Sequence, residues 1–359
     1  MTAVSADPST GVVQPKSRPP AVLQVLPSLV TGGVERGTIE IAQALAAAGW
    51  QSLVASSGGP LVREIERSGG RHITLPLASK NPLVMRANIG RLAEVIERNT
   101  VDIVHARSRA PAWSALWAAR RTGRHFVTTF HNAYGASSRL KHIYNSVMAK
   151  GERVIAISEF VAAHVARGYG VTGDRLRVVP RGVDFTRFNP DQIRPERLVT
   201  LARQWQLPDG APVVMLPGRL TRWKGQPVLI EAMALLGRSD VRCLLVGSGD
   251  ARYRRELEAL AAKLGLGGAV EIVDECRDMP AAYMLADVVV SASTSPEGFG
   301  RVVVEAQAMG RPVVATNHGG ARETVAPGST GWLVPPADAR ALADAIGDAL
   351  KLTPEQRIA

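Results

Sequence analysis

The amino-acid sequence predicts two doubly wound α/β domains, each with a parallel sheet covered by helices on both faces. Short β-branched runs alternate with longer segments of helical period along most of the chain, a pattern typical of parallel sheets. The alternation pauses once, near Arg181–Pro195, where Arg, Asn, Asp and Pro are frequent. The length of 359 residues also exceeds that of one ordinary domain, so two domains are expected.

The predicted domain boundaries follow this pause. We expect a disordered tail at residues 1–20, a first domain at 21–185 and a second domain at 186–359. The tail contains Pro, Ser and Thr but lacks the apolar stretch of a signal peptide. Two Rossmann-like sheets whose strand ends face each other form a cleft, and such sheets bind ligands at their carboxyl ends.

The same pattern gives the individual elements. In the first domain we expect strands at Ala21–Leu26, Gln51–Ala55, His72–Pro76, Asp102–Ala106, His125–Phe130 and Arg153–Ile157, with helices such as Val34–Ala47 and Asn88–Arg98. In the second domain we expect strands at Val213–Pro217, Arg242–Val246, Val270–Val273, Val288–Ser291 and Val313–Thr316. The helices expected between them are Gln226–Leu236, Tyr253–Leu264, Met279–Leu285 and Val302–Met309.

The net charge of +11 comes entirely from the first half of the chain, residues 1–185. Residues 1–185 hold 23 Lys and Arg against 12 Asp and Glu, whereas residues 186–359 hold 20 of each. This asymmetry favours an anionic partner for the first domain, such as a membrane surface or a phosphorylated lipid. A basic surface that serves only solubility is the alternative. Aromatic residues make up 5% of the chain and no recognition module occurs, so nucleic acid is not expected as a partner.

Several classes of site are disfavoured by the sequence. The two cysteines, Cys243 and Cys276, suit a reducing cytosol, and no metal-ligand spacing of Cys or His occurs. We therefore expect a cytoplasmic protein, and a metal site built from Cys or His is not indicated. Gly247 and Gly249 follow a predicted strand, but Arg252 takes the third glycine position of the dinucleotide fingerprint. No phosphate-binding P-loop occurs either, so a dehydrogenase or a P-loop enzyme is not expected.

Two glycine-rich turns follow the first strand of each domain and precede a helix. The first contains Gly32 and Gly33, which is weak evidence alone because such turns favour glycine. The second contains Arg219 and Lys224, five residues apart, which can converge on one anion. Such a pair would stabilise a leaving diphosphate. Two solvated loop charges are the alternative interpretation.

The stretch Ser295–Ala306 places Glu297 and Glu305 on either side of Gly298-Phe299-Gly300. If a helix begins after this loop, the loop amides can bind a phosphate and Glu305 lies about one turn inside the helix. A carboxylate accepts hydrogen bonds from the hydroxyls of a ribose or a sugar. The stretch therefore predicts a nucleotide-sugar site, with a solvated loop acid and a surface helix acid as the alternative.

Taken in order, these motifs resemble glycosyltransferase family 4, the retaining enzymes with the two-Rossmann-domain fold called GT-B. The resemblance runs from about Ala21 to Leu350. The motifs that carry it are Thr31–Arg36, Gly218-Arg219-Leu220 with Lys224-Gly225, Glu297 and Glu305 separated by seven residues, and Gly319–Glu323 with Gly331–Val334.

The resemblance implies a role for each of these positions. Glu297 would hold hydroxyls of the donor sugar, and Glu305 would bind the nucleotide ribose. Arg219 and Lys224 would stabilise the diphosphate, and His131 would contact the sugar near its reacting carbon. The backbone of Gly298, Phe299, Gly300, Arg301 and Val302 would bind the donor. Gly33 would lie against the diphosphate or the acceptor. The segment Asp274-Glu275-Cys276 would lie near the base.

The resemblance also implies a reaction and its partners. A hexose-type sugar would pass from a UDP- or GDP-sugar to a glycan hydroxyl with retention of configuration, without a metal or another cofactor. The acceptor would be a lipid-linked or anionic glycan of the bacterial envelope, such as lipopolysaccharide or exopolysaccharide. It would dock on the basic first domain, at the inner leaflet of the membrane. A nucleotide-sugar epimerase and a non-catalytic binding protein are the alternatives.

Three features depart from the family pattern. Arg181 stands where the family often has Asn, just before Gly182-Val183-Asp184. No glycine occurs in Val273–Asp278, where the family commonly has one, which leaves base recognition open. The family usually ends with a helix that returns to the first domain, and we expect that helix to be absent or shortened in this sequence.

Overall fold

The computed structural model describes residues 18–30, 32–135, 138–274 and 276–358. Most of the predicted tail lies outside these ranges, as do Thr31 and Glu275. The described residues fall into two compact units, one ending at Val127 and the other beginning at Thr128. The domain boundary at residues 185 and 186 stays a prediction.

The strands, in chain order, are β1 (Ala21–Val25), β2 (Gln51–Ser56), β3 (Arg71–Thr74), β4 (Ile103–Ala106), β5 (His125–Phe130), β6 (Arg153–Ala156), β7 (Leu176–Val178), β8 (Val213–Pro217), β9 (Arg242–Val246), β10 (Val270–Val273), β11 (Val288–Ser291), β12 (Val313–Thr316) and β13 (Gly331–Val334). The described strands form a seven-stranded sheet in the order β3-β2-β1-β4-β5-β6-β7 and a six-stranded sheet in the order β10-β9-β8-β11-β12-β13.

The helices, in chain order, are α1 (Gly33–Ala47), α2 (Val62–Arg67), α3 (Pro82–Arg98), α4 (Arg109–Arg121), α5 (Arg139–Ser146), α6 (Glu159–Tyr169), α7 (Pro195–Gln204), α8 (Gln226–Leu236), α9 (Ala251–Lys263), α10 (Met279–Leu285), α11 (Arg301–Ala308), α12 (Ala321–Thr324), α13 (Ala339–Leu350) and α14 (Pro354–Ile358). None of the helices in the described ranges is both long and apolar enough to cross a bilayer.

The parallel pairing predicted from the sequence is confirmed. Strand β1 pairs in parallel with β2 and β4, and β6 pairs in parallel with β7. Every neighbouring pair in the six-stranded sheet is also parallel. Parallel strands require crossover connections, and the helices between successive strands supply them.

Some element bounds differ from the prediction for identifiable reasons. Helix α3 begins six residues earlier than expected, because the Asn81 side chain accepts a hydrogen bond from the Leu83 amide and Pro82 takes the first helical position. Strand β3 ends at Thr74 rather than at Pro76. Strand β7 was not predicted. It has only three residues, with Arg177 in the middle, too few for a visible alternation.

In the unit that begins at Thr128, the six-stranded sheet is buried on both faces. Along β8, Val214 and Leu216 belong to one apolar cluster, whereas Val213 and Met215 belong to another. Burying an aliphatic side chain of this size contributes about 1.5–3 kcal/mol. The continuous apolar run of β8 thus reflects burial on both faces. The buried sheet in turn fixes where the loops leave the carboxyl ends of β8 and β11.

The unit that ends at Val127 has an apolar cluster between β1, β2 and the helices α1 and α2. It contains Leu26, Leu29, Ile39, Ala42, Val54, Leu61 and Ile65. Gln24 is fully buried in β1, and its side-chain amide donates to the Thr38 carbonyl oxygen at 3.1 Å. That bond satisfies one polar group that would otherwise be costly to bury.

Candidate active site

Lys224 and Glu297 form an ion pair at the carboxyl edge of the six-stranded sheet. Lys224 lies in the loop after β8 and Glu297 in the loop after β11, and Lys224 Nζ is 2.7 Å from Glu297 Oε1. The two side chains are only 15% and 18% exposed. Ser293 Oγ donates to the same carboxylate oxygen. Two loops far apart in sequence thus meet in one charged cluster.

The turn that carries Lys224 is held against the end of β11 by Gly225. This glycine has φ of +76°, and a Cβ atom there would lie 1.8 Å from the Ala292 carbonyl oxygen. Only glycine allows both the left-handed backbone and the close approach. The Thr294 amide also donates to the Trp223 carbonyl oxygen at 2.8 Å. The position of Lys224 beside Glu297 therefore follows from backbone packing.

Arg219 is placed differently from Lys224. It follows the end of β8, its side chain is exposed, and its carbonyl oxygen accepts from Gln226 Nε2 at 2.9 Å. The sequence suggested that Arg219 and Lys224 could converge on one anion. The anion that contacts Lys224 in this structure is the Glu297 carboxylate.

Glu305 lies on the fifth residue of α11, about one turn inside the helix, as the sequence predicted. Its Oε2 accepts from the Tyr283 hydroxyl at 3.0 Å and its Oε1 accepts from Arg301 Nε at 3.2 Å. Burial raises the pKa of Glu305 above its usual value, while Arg301 and the Tyr283 hydroxyl act in the opposite direction. Tyr283 is fully buried, and burial followed by the Glu305 charge raises its pKa well above the usual value.

The loop between Glu297 and Glu305 is held by contacts with residues from other parts of the chain. The Gly320 amide donates to the Glu297 carbonyl oxygen at 2.9 Å. A Cβ atom on Gly298 would lie 2.6 Å from the His131 carbonyl oxygen. The buried Ser158 hydroxyl donates to the Gly298 carbonyl oxygen at 2.6 Å. This loop precedes α11, whose first-turn amides have no acceptor within the helix.

His131 follows the last residue of β5 and lies in the same compact unit as Glu297. The structure therefore brings its backbone against the donor loop predicted from the sequence. Arg181 Nη2 is 2.6 Å from His131 Nδ1. Arg181 is the residue that departs from the family pattern, and this contact shows where its side chain lies.

Helix α6 is capped by residues next to this loop. The Glu323 carboxylate accepts from the amides of Glu159 and Phe160 at 2.8 and 2.7 Å. Ser158 Oγ accepts from the Val161 amide at 3.1 Å. The first three amides of the helix are therefore satisfied, two of them by Glu323, which lies 164 and 163 positions away in the chain.

The other predicted positions differ from one another in burial and in contacts. Gly33 is the first residue of α1, in the unit that ends at Val127, and its backbone is exposed. Phe299 is buried and Val302 half-buried. Asp274 forms an ion pair with Arg254 at 2.6 Å, and Glu275 is outside the described residues.

Sequence reasoning missed three residues that contact the predicted ones and a fourth that caps the neighbouring helix α6. Tyr283, Ser293, Ser158 and Glu323 were not singled out. Tyr283 resembles a core residue in an apolar helix, and the two serines resemble ordinary loop residues. Glu323 belongs to a motif that the sequence analysis quoted, but its capping of a helix depends on tertiary structure. No local signal identifies these contacts.

Comparison with known proteins decides the family. A model described as "Glycosyltransferase Family 4" matches residues 31–187, and one described as "Glycosyl transferases group 1" matches residues 200–358. A D-inositol 3-phosphate glycosyltransferase from Xylanimonas cellulosilytica is 31% identical, over 88% of this chain and 82% of its own. The chain belongs to glycosyltransferase family 4.

A second relative of this glycosyltransferase is a GDP-mannose-dependent alpha-(1-6)-phosphatidylinositol monomannoside mannosyltransferase from Mycolicibacterium smegmatis. It is 32% identical over 79% of the chain and 76% of its own length. Family membership favours the transferase over the epimerase and the binding protein that the sequence left open. The chain is a glycosyltransferase of family 4 that uses nucleotide sugars.

Solved structures agree with the predicted fold class. A glycosyltransferase from Rickettsia africae superposes with a TM-score of 0.86 at 40% identity, covering 95% of this chain and 91% of that one. The Anabaena protein HepE in complex with UDP-glucose superposes with a TM-score of 0.81 at 26% identity, covering 94% and 91%. The GT-B class, with two Rossmann-like sheets, is confirmed for this glycosyltransferase.

Proposed function

We propose that this glycosyltransferase moves a hexose-type sugar from a UDP- or GDP-sugar to a hydroxyl of a lipid-linked or anionic envelope glycan, with retention of configuration and without a metal ion. The observation that carries the proposal is the cluster of Lys224, Glu297 and Ser293 next to α11, which bears Glu305. This cluster combines a cation for phosphate with carboxylates for hydroxyls.

The donor would replace contacts that the protein now makes with itself. Lys224 and Glu297 neutralise each other at 2.7 Å in a largely buried setting. A diphosphate would take Lys224 as its partner, and the sugar hydroxyls would donate to Glu297. Glu305, already held by Tyr283 and Arg301, would accept from the ribose. With the donor bound, Lys224, Glu297 and Glu305 would each keep a partner. Binding would then avoid the free-energy cost of a buried charge without a partner.

The proposed chemistry relies on positively charged side chains that stabilise an anionic leaving group. The acceptor oxygen would bond to the anomeric carbon on the face that the diphosphate leaves, and the bond from that carbon to the phosphate oxygen would break. The departing phosphate would take the proton of the acceptor hydroxyl. Arg219 and Lys224 would stabilise the negative charge that develops on the diphosphate.

Metal independence is also a proposal. The charge that a metal would supply to the diphosphate would come from the side chains of Lys224 and Arg219. No group of three His, Cys, Asp or Glu side chains within the described ranges is arranged to hold a metal ion.

The acceptor proposal rests on charge. The excess of basic residues lies in residues 1–185. Helix α5 adds an amphipathic surface, since Leu140 and Ile143 are 79% and 57% exposed beside the exposed Arg139 and Lys141. The names of both relatives described above contain a phosphorylated inositol. We infer an acceptor bearing phosphate or another anion, presented at the inner face of the cytoplasmic membrane for lipopolysaccharide or polysaccharide synthesis.

The test is a calorimetric and thermal-shift comparison of UDP, GDP, ADP and their common sugars, each with magnesium and with a chelator. A true donor stabilises the folded protein by RT ln(1 + [L]/Kd). We expect one nucleotide to bind equally well in both conditions and to lose binding in Glu305→Ala. Transfer from the selected donor, followed by NMR of the product's anomeric proton, reports the configuration. An inverted product or a strict need for magnesium would contradict the proposed mechanism.

A further inference from the structure

We propose that Arg181 is a positioning residue that holds His131 as the neutral tautomer with its proton on Nε2. The inference rests on the donor-site role proposed for His131 through its family resemblance. Arg181 Nη2 lies 2.6 Å from His131 Nδ1, and both side chains are half-buried. Arg181 occupies the position where the family often has Asn.

The chemistry of the two groups decides the tautomer. A guanidinium has five N–H donors, no acceptor, and does not lose its proton in proteins. At a separation of 2.6 Å, the His131 Nδ1 atom must therefore accept the hydrogen bond. A proton on Nδ1 would set two donors against each other, and an imidazolium would add a second positive charge beside the guanidinium. The ring proton is consequently on Nε2.

Backbone contacts before and after Arg181 in the sequence hold its segment in place. On the amino-terminal side, the Val179 amide donates to the Ala156 carbonyl oxygen at 2.9 Å, which extends the pairing of β7 with β6. On the carboxyl-terminal side, Asp184 Oδ1 accepts from the amide and the hydroxyl of Thr186 at 2.9 and 2.7 Å. The short segment between these anchors presents the guanidinium to His131.

The tautomer matters because of where His131 lies. Its carbonyl oxygen abuts Gly298 in the loop between the two glutamates. In the role proposed for His131, the Nε2–H form would donate a hydrogen bond to an oxygen of the donor sugar. In the other form, Nε2 could only accept a hydrogen bond from a sugar hydroxyl. Fixing the tautomer therefore fixes the direction of the hydrogen bond to the sugar.

An arginine side chain selects one tautomer of a neighbouring imidazole more strictly than an asparagine side chain can. The Asn side chain carries both a donor and an acceptor, so a rotation of its amide can satisfy either tautomer of a neighbouring imidazole. A guanidinium can satisfy only one. The contact between Arg181 and His131 is therefore selective for one tautomer.

The test is NMR of the full chain with ¹⁵N-labelled histidine, which distinguishes the two imidazole nitrogens, with the His131 signal assigned by its loss in His131→Gln. We expect the wild type and Arg181→Lys, which keeps a donor without an acceptor, to have the Nε2–H form alone at neutral pH. Arg181→Ala should have a mixture of tautomers and a transfer rate lower by about 10-fold, the effect of losing one hydrogen bond to the sugar. Arg177→Ala removes an exposed arginine of β7 that pairs with Asp174 and should match the wild type in both measurements.

Two results would overturn the inference. One is an unchanged His131 tautomer in Arg181→Ala. The other is a changed tautomer with full transfer activity, which would separate Arg181 from the reaction. Failure of the proposed function can be told apart from failure of this inference. The tautomer measurement needs no substrate, so it gives its result even if the wild-type protein binds no nucleotide sugar. Melting temperatures of all variants identify any that fail to fold.

Discussion

At the scale of single residues, both glutamates of the candidate site are paired with other groups of the protein. Glu297 has Lys224 and Ser293, and Glu305 has Tyr283 and Arg301. Exposed pairs such as Arg238–Asp240, 40% and 58% exposed, contribute about 0–1 kcal/mol. The pairs of the site are far less exposed, so removing one partner leaves a buried charge and costs more.

Glu305→Gln tests the charge on Glu305. Because burial raises the pKa of this carboxyl, the folded protein binds its proton more readily than the unfolded chain does. Ionisation of Glu305 therefore lowers the free energy of unfolding as the pH rises above the unfolded pKa. We expect the melting temperature to fall less between pH 5 and pH 7 in Glu305→Gln than in the wild type.

The same substitution should alter nucleotide binding. If the ionised carboxylate accepts from the ribose, wild-type affinity should decline on acidification at a higher pH than an ordinary glutamate would require. Glu305→Gln should bind about 10-fold more weakly at neutral pH, with that pH dependence gone. Glu258→Gln, on the exposed side of α9, is the matched control. An identical pH profile in wild type and Glu305→Gln would contradict this assignment.

At the scale of elements, the loop from Glu297 to Gly300 is shaped by close backbone contacts. Gly298 packs against His131, and Gly320 packs so closely on the loop that a Cβ atom would lie 2.4 Å from Phe299 Cα. The Ser158 hydroxyl adds a hydrogen bond to Gly298. Such a loop is preorganised, so a ligand that binds its amides need not order it first.

Gly298→Ala tests this packing. The added methyl group would lie 2.6 Å from the His131 carbonyl oxygen, so the loop must shift. We expect a loss of about 1–3 kcal/mol in the free energy of unfolding, measured by urea denaturation, and a larger loss in transfer rate than in nucleotide affinity. Gly268→Ala, where nothing lies within 4 Å of the new Cβ atom, should change neither by much. Equal behaviour of the two variants would argue against a fixed loop.

At the scale of the whole molecule, charge is divided unequally along the chain. Residues 1–185 carry the excess of basic side chains, and residues 186–359 are balanced. A basic surface gains about 1 kcal/mol per Lys or Arg close to an anionic leaflet. This attraction is screened within about 8 Å at physiological salt, so only basic residues close to the surface contribute.

Charge reversal on α5 tests the membrane contact. Arg139→Glu with Lys141→Glu should lower binding to vesicles containing phosphatidylglycerol by about 10-fold or more, measured by co-sedimentation at two salt concentrations. Arg255→Glu with Arg340→Glu changes the net charge equally on exposed positions of the second half and should leave most binding intact. If both double variants bind alike, net charge rather than α5 governs the attraction.

The sequence predicted the sheets better than the contacts of the site. Five strands of the six-stranded sheet were predicted because burial on both faces selects continuous β-branched runs, as in Val288–Ser291, whereas the edge strand β13 (Gly331–Val334) was not predicted. Glu297, Lys224 and Glu305 could be named from their spacing and the family resemblance. The pairing of Lys224 with Glu297 spans 73 positions, and no local pattern encodes it. Tyr283 was missed for the same reason, because its partner Glu305 lies 22 positions away on another helix.

The capping of α6 by Glu323 has a consequence for enzyme engineering. Chimeras between members of this family join the amino-terminal half of one parent to the carboxyl-terminal half of another. A junction near residue 186 would take Ser158 and the amides of Glu159 and Phe160 from one parent, but Gly298 and Glu323 from the other. A productive hybrid must therefore match these positions across the junction if α6 is to keep its cap.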